Sequence, residues 1–375
     1  MQIGFDNTKL VIKQDQSLYR KKLGVLALIS IFVFIFSLFI KQLEVGLISP
    51  TDIFANYKAW IQINVSNWMN TPTHLYKEQI IDSLTYYHGS IWRLKVTIIS
   101  FTCGVLLAMS GAIFQTVFRN PIATPTMLGV NAGAGMGTLI FVLVYGGFAS
   151  SMLKEKYIYS FVGAVMMFGI ILITGKISSG KKKFSIFDLL IIAAILSLIF
   201  DAVESYILFE ADNDFILLHR QVSDVMSVDI NNEAFILLSV VTIISIIPIY
   251  LLRFTFNTLS FENDEAKSLG IDIGILKILV TFLGTVMITA AIVHCGLVAM
   301  MSLITPFISR AIFGADFRKM FWGNMIIGGT LMLVCRDIAS IINFSVDGLP
   351  VGTVVSIAAM PIYVVIMVSQ RRTWE

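Results

Sequence analysis

Apolar segments long enough to cross a membrane recur along the whole chain, and they constrain the fold more than any single motif does. A bilayer's hydrocarbon core is about 30 Å thick, so a spanning α-helix needs roughly 20 apolar residues. Ten windows of this kind are present, at residues 23–40, 91–117, 125–145, 157–177, 185–209, 233–252, 275–295, 298–313, 320–343 and 351–370. With 57% hydrophobic and 14% charged residues, the chain is predicted to be an all-α integral membrane protein with about ten transmembrane helices.

The distribution of basic residues predicts how these helices are oriented. The first window follows Arg20, Lys21 and Lys22, and no small-residue cleavage site comes after it, so it is expected to remain as a helix. If the N-terminus is cytoplasmic, 18 of the 27 Lys and Arg residues fall on the cytoplasmic side. Cytoplasmic loops are enriched in basic residues, so both termini are predicted to be cytoplasmic.

This orientation divides the chain into a membrane domain with short ends and two long loops. Residues 1–22 form a cytoplasmic N-terminal segment, 23–371 the transmembrane domain and 372–375 a cytoplasmic tail. Residues 41–90 are expected outside the cell. The loop 253–275 is expected inside, where acidic residues precede Lys267 and Gly270 in a pattern typical of a short helix with a glycine cap. A passive connector is the alternative reading of this loop.

Residues 111–137 are small, polar and helix-breaking where a plain lipid-facing span is expected. The polar and helix-breaking members are Gln115, Asn120, Pro121 and Pro125, and the glycines are Gly111, Gly129, Gly133 and Gly137. Amide side chains inside a helix bundle need hydrogen-bond partners. Gln115 and Asn120 therefore fit two explanations equally well: they line a transport pathway, or they brace one helix against another. Gly129, Gly133 and Gly137 fall at every fourth position, which predicts a helix face that a neighbouring backbone approaches closely.

Few charged residues fall inside the predicted spans. Asp201 and Glu204 share a helix face, where they fit either an entrance to a pathway or polar capping at the membrane interface. Arg336 and Asp337 are adjacent on one helix and point about 100° apart, so each is expected to pair with a residue of another helix.

The chain offers no nucleotide or metal site by motif. Residues 175–182 nearly match a phosphate-binding loop, but Lys182 stands where the magnesium-binding hydroxyl belongs, and the stretch leaves a membrane helix instead of a strand. Any ATP hydrolysis is therefore expected in a partner. No His or Cys spacing indicates a metal site, and no nucleophile and base arrangement predicts catalysis.

Several of these stretches together resemble the FecCD-type permease family, the membrane subunits of ATP-driven importers for ferric siderophores, haem and cobalamin. The matching residues are Ser110–Gln115, Arg119–Ala123, Pro125, Leu128–Val130, Gly133–Ala134, Ala266, Leu269–Ile271, Gly296, Pro306, Arg310, Gly314–Arg318, Asp337 and Leu349–Gly352. They cover most of the chain, in the family's order and spacing.

The resemblance implies a type II ABC importer permease fold in a bacterial cytoplasmic membrane. Two permease subunits, identical or merely related, would enclose a pathway, with an extracytoplasmic binding protein or lipoprotein outside and two ATPase subunits inside. ATP and magnesium would be bound by the ATPase, and no cofactor by this chain. The residues it implies for coupling to the ATPase are Leu259, Glu262, Glu265, Ala266, Leu269, Gly270 and Ile271. For the pathway and helix packing it adds Asp337, Pro350 and Gly352 to the residues of the 111–137 stretch.

Two departures from the family pattern concern the docking residues and a family histidine. Where the family often has Arg-Leu-Pro-Arg for docking the binding protein, this chain has Arg93-Leu94-Lys95-Val96, so Arg93 and Lys95 are the docking candidates. A family histidine is replaced by Phe307 and receives no role.

The expected function is ATP-driven import of a ferric siderophore or similar iron chelate by alternating access, with haem and cobalamin as alternatives. An ion-coupled secondary transporter is the rival from another class. A membrane enzyme with Asp201 and Glu204 as acid and base is a second rival.

Overall fold

A computed structural model of the chain describes residues 2–39, 77–146, 153–179, 186–216, 232–260, 273–296, 298, 300–342 and 351–371. Within these ranges the chain forms ten α-helices of 13 residues or more, a short helical segment at residues 213–216, two short 3-10 helices and no β-strand. The α-helices are α1 Gln2–Ser37, α2 Lys77–Val117, α3 Val130–Tyr145, α4 Leu153–Ser179, α5 Ile186–Glu210, α6 Asn232–Leu252, α7 Ile273–Cys295, α8 Met301–Phe313, α9 Phe317–Ile341 and α10 Val351–Arg371. The 3-10 helices are Pro125–Leu128 and Thr255–Ser260. Each predicted window coincides with one α-helix, which confirms the all-α fold.

Six helices in the described ranges are long and apolar enough to cross a membrane. The stretches are Arg93–Val117, Glu155–Ile177, Ile191–Glu210, Phe235–Leu252, Leu276–Cys295 and Phe317–Ile341. Shorter apolar helical stretches lie at Val130–Tyr145, Met301–Phe313 and Val351–Ile362. The chain is therefore a multi-pass membrane protein.

Three helix boundaries differ from the sequence prediction, and the first is that of α1, which begins at Gln2 instead of residue 23. Helix α2 begins at Lys77 instead of residue 91, and its 41 residues extend about 60 Å, twice the thickness of a bilayer's apolar core. Its first turns therefore project beyond the apolar layer. The third predicted window, residues 125–145, is divided at Gly129. This residue has a left-handed backbone conformation, with φ of +66°, and it separates the 3-10 helix Pro125–Leu128 from α3.

Helix α2 forms the centre of the bundle, packed against α7, α8 and α9. Its apolar stretch is 83% buried, compared with 6% for that of α5. Glycines permit this packing: a Cβ on Gly104 would lie 2.3 Å from the carbonyl oxygen of Gly328, and one on Gly111 only 1.7 Å from that of Ser302. Both contacts are to backbone, so neither site accommodates a side chain.

A second group of helices, α3, α4 and α5, packs beside this core. Gly133 of α3 faces the backbone of Gly163 in α4, and Gly137 faces the backbone of Tyr159, at distances that exclude a Cβ. Gly129 lies just before α3. Its left-handed backbone conformation is the main reason why this position requires glycine. Helix α5 contacts α3 and α4 on one side and exposes apolar residues on the other.

Candidate coupling site and translocation cavity

The Arg119-Asn120-Pro121 motif forms the end of α2. The amide of Asn120 bonds to the carbonyl of Gln115, and the amide of Arg119 to that of Thr116. This is the Schellman pattern, which requires a left-handed residue that is usually glycine. Arg119 occupies that position, with φ of +50°. The exposed Asn120 then accepts a hydrogen bond from the amide of Ile122 through its own side chain, which turns the chain.

In this conformation the Arg119 side chain reaches the 3-10 helix that follows α6. Its Nε donates a hydrogen bond of 3.0 Å to the carbonyl of Leu259, which lies in the 3-10 helix Thr255–Ser260 after α6. The Leu259 side chain is fully buried. A non-glycine residue with left-handed backbone costs about 1 kcal/mol, which this contact and the helix cap offset.

The other side of the same 3-10 helix is held by the turn between α8 and α9. Asn257 donates through Nδ2 to Asp316 Oδ1 at 2.8 Å and accepts, through Oδ1, the backbone amide of Phe317 at 2.9 Å. The Phe256 and Phe317 rings stack with centroids 4.1 Å apart. Asn257 was not singled out from the sequence, because its partners lie about 60 residues away.

Asp316 is held by several donors at once. It caps the start of α9 by accepting the amide of Arg318, and it forms a two-point salt bridge with the Arg318 guanidinium. These bonds, with the Arg318 side chain first and Asn257 next among the stabilising partners, lower the pKa of Asp316 to about 2. The carboxylate is therefore charged throughout the physiological range.

We call Arg119, Asn257, Asp316 and Phe317 the polar clamp. It joins the ends of α2 and α6 to the start of α9, so three chain-distant corners meet at one end of the bundle. Residues 261–272 follow the clamped 3-10 helix directly. The predicted coupling residues Glu262, Glu265, Ala266, Leu269, Gly270 and Ile271 lie outside the described ranges, whereas Leu259, which was predicted with them, is described and is buried.

Polar side chains also join α2 to its neighbours inside the bundle. Gln115 Nε2 donates to the carbonyl of Leu303 in α8 at 3.1 Å, and Ser110 donates to that of Gly284 in α7 at 2.7 Å. Asn324 of α9 donates to the carbonyl of Ala108 at 2.6 Å. Asn324 was overlooked in the sequence, although an amide within an apolar span is itself a signal. These bonds place Gln115 among helix-bracing residues.

Arg336 and Asp337 form a buried ion pair, so the expectation that they would not pair with each other is wrong. Arg336 Nη2 lies 2.6 Å from Asp337 Oδ1. The long arginine side chain bends back along its own helix, which overcomes the 100° separation. Residues of two other helices complete the network, since Ser37 of α1 donates to Asp337 at 3.0 Å and Arg336 contacts Ser37 and Thr97.

The remaining predicted pathway residues fall in several places. Pro125 is buried at the start of the first 3-10 helix, Pro121 is half-buried in the turn before it, and Gly352 is half-buried in the first turn of α10. Pro350 lies outside the described ranges. Arg93 and Lys95 are half-buried in α2, at the opposite end of the apolar stretch from the clamp.

A cavity of about 450 Å³, with a mostly apolar lining that includes several polar side chains, lies among α3, α4, α5 and the end of α7. It brings together residues that the sequence left unconnected: Asp201 and Glu204 of α5, Lys156 of α4 and Asn131 of α3. The hydroxyls of Thr138 and Ser160, 2.6 Å apart, line one wall. Ionisable groups within a membrane bundle mark a functional site by default.

A multi-pass helical bundle with close glycine contacts, ionisable groups around an internal cavity and a braced corner at one end is typical of a membrane transport protein. The sequence model of the FecCD transport family matches residues 25–369, and the chain belongs to that family.

Curated relatives of this chain are named as permeases of uptake or import systems. An iron chelatin transport system permease of Helicobacter pylori is 25% identical over 81% of this chain and 89% of its own length. The iron-uptake permease FeuB of Bacillus subtilis is 26% identical, covering 77% and 87% of the two chains. The molybdate import permease MolB of Haemophilus influenzae is 26% identical, covering 75% and 80%.

A solved structure supports the fold independently. An inward-facing transporter assigned to the metal-chelate ABC type superposes with a TM-score of 0.72, covering 93% of this chain and 99% of the other. Its sequence is 22% identical, so the likeness concerns the fold, which is that of a type II ABC importer permease.

Proposed function

We propose that this chain is the permease subunit of an ATP-driven importer for a ferric siderophore or similar iron chelate. Family membership supports the transport class, and the names of the Helicobacter and Bacillus relatives support iron. The observation that carries the coupling part is the polar clamp, because it ties the segment preceding residues 261–272 to the ends of three helices.

The proposed coupling segment consists of Leu259, whose buried side chain anchors it to the bundle, and of the residues that would form its contact surface, which are Glu262, Glu265, Ala266, Leu269, Gly270 and Ile271. A partner ATPase that binds ATP and magnesium would contact this surface on the cytoplasmic side. Closure of the ATPase would displace the segment, and the clamp would pass that displacement to α2, α6 and α9. Such a device needs a rigid connection, which paired polar side chains provide better than apolar contacts alone.

The proposed assembly contains two permease subunits, identical or related, in a bacterial cytoplasmic membrane with both termini of this chain inside. The apolar side that α5 exposes is suited to lipid as well as to a second permease subunit, so the two-subunit assembly is supported by family membership. A binding protein would dock at the opposite face from the ATPase, with Arg93 and Lys95 as candidate contacts. Exposed ion pairs contribute little energy, so these two residues would guide docking more than stabilise it.

The substrate is tested with the chain purified together with its ATPase and binding protein. We expect a ferric siderophore to stimulate ATP hydrolysis when all partners are present. Haem, cobalamin and molybdate serve as competing ligands, since the first two are alternatives within the family and the third is imported by a relative. Stimulation by molybdate alone would contradict the assignment to iron chelates.

A further inference from the structure

We propose that the N-terminal part of α1 is a second contact surface for the partner ATPase, beside the proposed coupling segment. We call residues 2–22 the α1 extension, because they precede the apolar stretch that was predicted to begin at residue 23. The family's sequence model matches from residue 25 onward, so this surface lies outside the part of the chain that the family match covers. The inference rests on the proposed function, since it concerns where the same ATPase binds.

The base of the α1 extension is fixed to the turn between α8 and α9. Tyr19 Oη donates to the carbonyl of Lys319 at 3.3 Å, and Lys22 Nζ donates to a carbonyl in the last turn of α8 at 2.9 Å. The Tyr19 ring also meets the Phe313 ring edge-on, with centroids 5.5 Å apart. This turn contains Asp316 of the polar clamp, so the α1 extension and the proposed coupling segment are attached to the same corner of the bundle.

The α1 extension projects past the end of the helix against which α1 packs. Helices α1 and α9 run parallel, since Tyr19 lies beside Lys319 in the first turn of α9 and Ser37 lies beside Asp337 near its end. Residues 2–18 therefore lie beyond the start of α9. The chain is helical from Gln2 to Ser37, so at about 1.5 Å of rise per residue these residues carry the backbone about 25 Å further.

This length favours a protein over the bilayer as the surface that the α1 extension meets. The headgroup layer adds about 5–8 Å on each side of a bilayer's apolar core. Lys13 and Lys9 precede residue 23 by about 15 and 21 Å along the helix. A continuous helix that leaves the bundle in the direction of α1 therefore carries both lysines past the headgroups, to the side where the coupling segment would meet the ATPase.

The charge of the α1 extension indicates an acidic surface on the partner. Residues 2–22 contain five basic and two acidic residues. Arg20 and Lys21 at its base are exposed, and Leu18 is 54% exposed. Leu18 and Lys21 are three residues apart and share a helix face. An apolar side chain flanked by cations fits a partner surface on which carboxylates surround an apolar contact.

The test measures what the α1 extension touches and how much it contributes to ATPase binding. The permease is placed in nanodiscs of neutral phosphatidylcholine with its ATPase, and a photoreactive benzoylphenylalanine replaces Lys13 in the full chain. We expect irradiation to cross-link this position to the ATPase. Deletion of residues 2–15 retains Tyr19 and Lys22, so it should leave the thermal unfolding midpoint unchanged and weaken ATPase affinity about tenfold.

A charge reversal tests the acidic character of the partner surface. Lys13→Glu should weaken ATPase affinity about threefold at low salt and less at high salt, because salt screens exposed charges. Lys176→Glu, which reverses an exposed lysine at the end of α4, is the matched control and should bind the ATPase as wild type does.

Absence of a cross-link to the ATPase, or unchanged affinity in the deletion variant, would overturn the inference. An equal loss in Lys13→Glu and Lys176→Glu would also overturn it, because the effect would then be one of overall charge. An effect of Lys13→Glu that appears only in nanodiscs with anionic phosphatidylglycerol would assign the α1 extension to the bilayer instead. In each of these cases wild-type permease still binds the ATPase and the proposed function stands, whereas an ATPase that does not bind the wild-type chain would reject the proposed function itself.

Discussion

Replacing Asn257 with alanine should release the 3-10 helix Thr255–Ser260 from the start of α9. The change removes two hydrogen bonds, one to the Asp316 carboxylate and one from the Phe317 amide. A bond to a charged group contributes about 1.5–3 kcal/mol and a neutral one about 0.5–1.5 kcal/mol. These bonds are partly exposed, so water replaces some of that energy, and a loss of about 2 kcal/mol is the expected outcome.

A loss of about 2 kcal/mol corresponds to a roughly 30-fold larger population of the released segment. Amide hydrogens at residues 255–260 should therefore exchange up to about 30-fold faster, measured by mass spectrometry on the assembled transporter. Substrate transported per ATP hydrolysed should fall at the same time, because closure of the ATPase then moves a segment that no longer pulls α9.

The control for this change is Asn213→Ala, an exposed asparagine beyond the end of α5. It removes the same amide group but should alter neither exchange at 255–260 nor the coupling ratio. Faster exchange with an unchanged ratio of transport to hydrolysis would refute the idea that the clamp transmits motion. Unchanged exchange would show that the two hydrogen bonds do not hold the segment.

Three further predictions concern packing, charge and docking. Gly111→Ala should lower the thermal unfolding midpoint strongly, since its Cβ would meet a backbone oxygen at 1.7 Å, whereas Gly169→Ala has open space and should leave the midpoint unchanged or slightly higher. The pKa of Asp316 lies near 2 in the folded protein, below the ordinary value of about 3.9. The ionised carboxylate therefore stabilises the fold fully when the pH is above about 3.9, and this stabilisation is lost as the pH falls toward 2. The difference in midpoint between wild type and Asp316→Asn should thus be constant from pH 8 to 5 and narrow only below about pH 4. Changing Arg93 and Lys95 to glutamate should weaken binding-protein affinity several-fold in a titration, and unchanged affinity would remove them from the docking surface.

The helices were largely predictable because each spans enough apolar residues to produce a clear signal. The start of α2 was missed because its first turns, from Lys77, are not apolar and lie beyond the membrane core. The break at Gly129 was missed because Gly129, Gly133 and Gly137 were interpreted as one face of a continuous helix, whereas Gly129 lies before α3 in a left-handed backbone conformation.

The site was harder to predict than the fold. The motifs around Arg119 and Asp316 were visible, and so was the loop that contains Asn257, but nothing in the sequence joined them. Their meeting depends on three corners separated by 140 and about 60 residues, which only the packing of the helices brings together. The prediction that Arg336 and Asp337 would not pair with each other was wrong for a related reason. Helix geometry fixes the direction in which each side chain leaves the backbone, but not the path of a long flexible side chain.

We propose that ATP hydrolysis by a partner, acting on the loop after the polar clamp, powers uptake through this chain. The most direct measurement is iron-chelate uptake into vesicles that contain the permease, ATPase and binding protein, with ionophores present to abolish ion gradients. We predict that uptake requires ATP, survives the ionophores and is lost in the Glu265→Ala, Gly270→Pro double variant while the protein remains folded. Uptake that collapses with the ion gradient and persists without the ATPase would contradict the account.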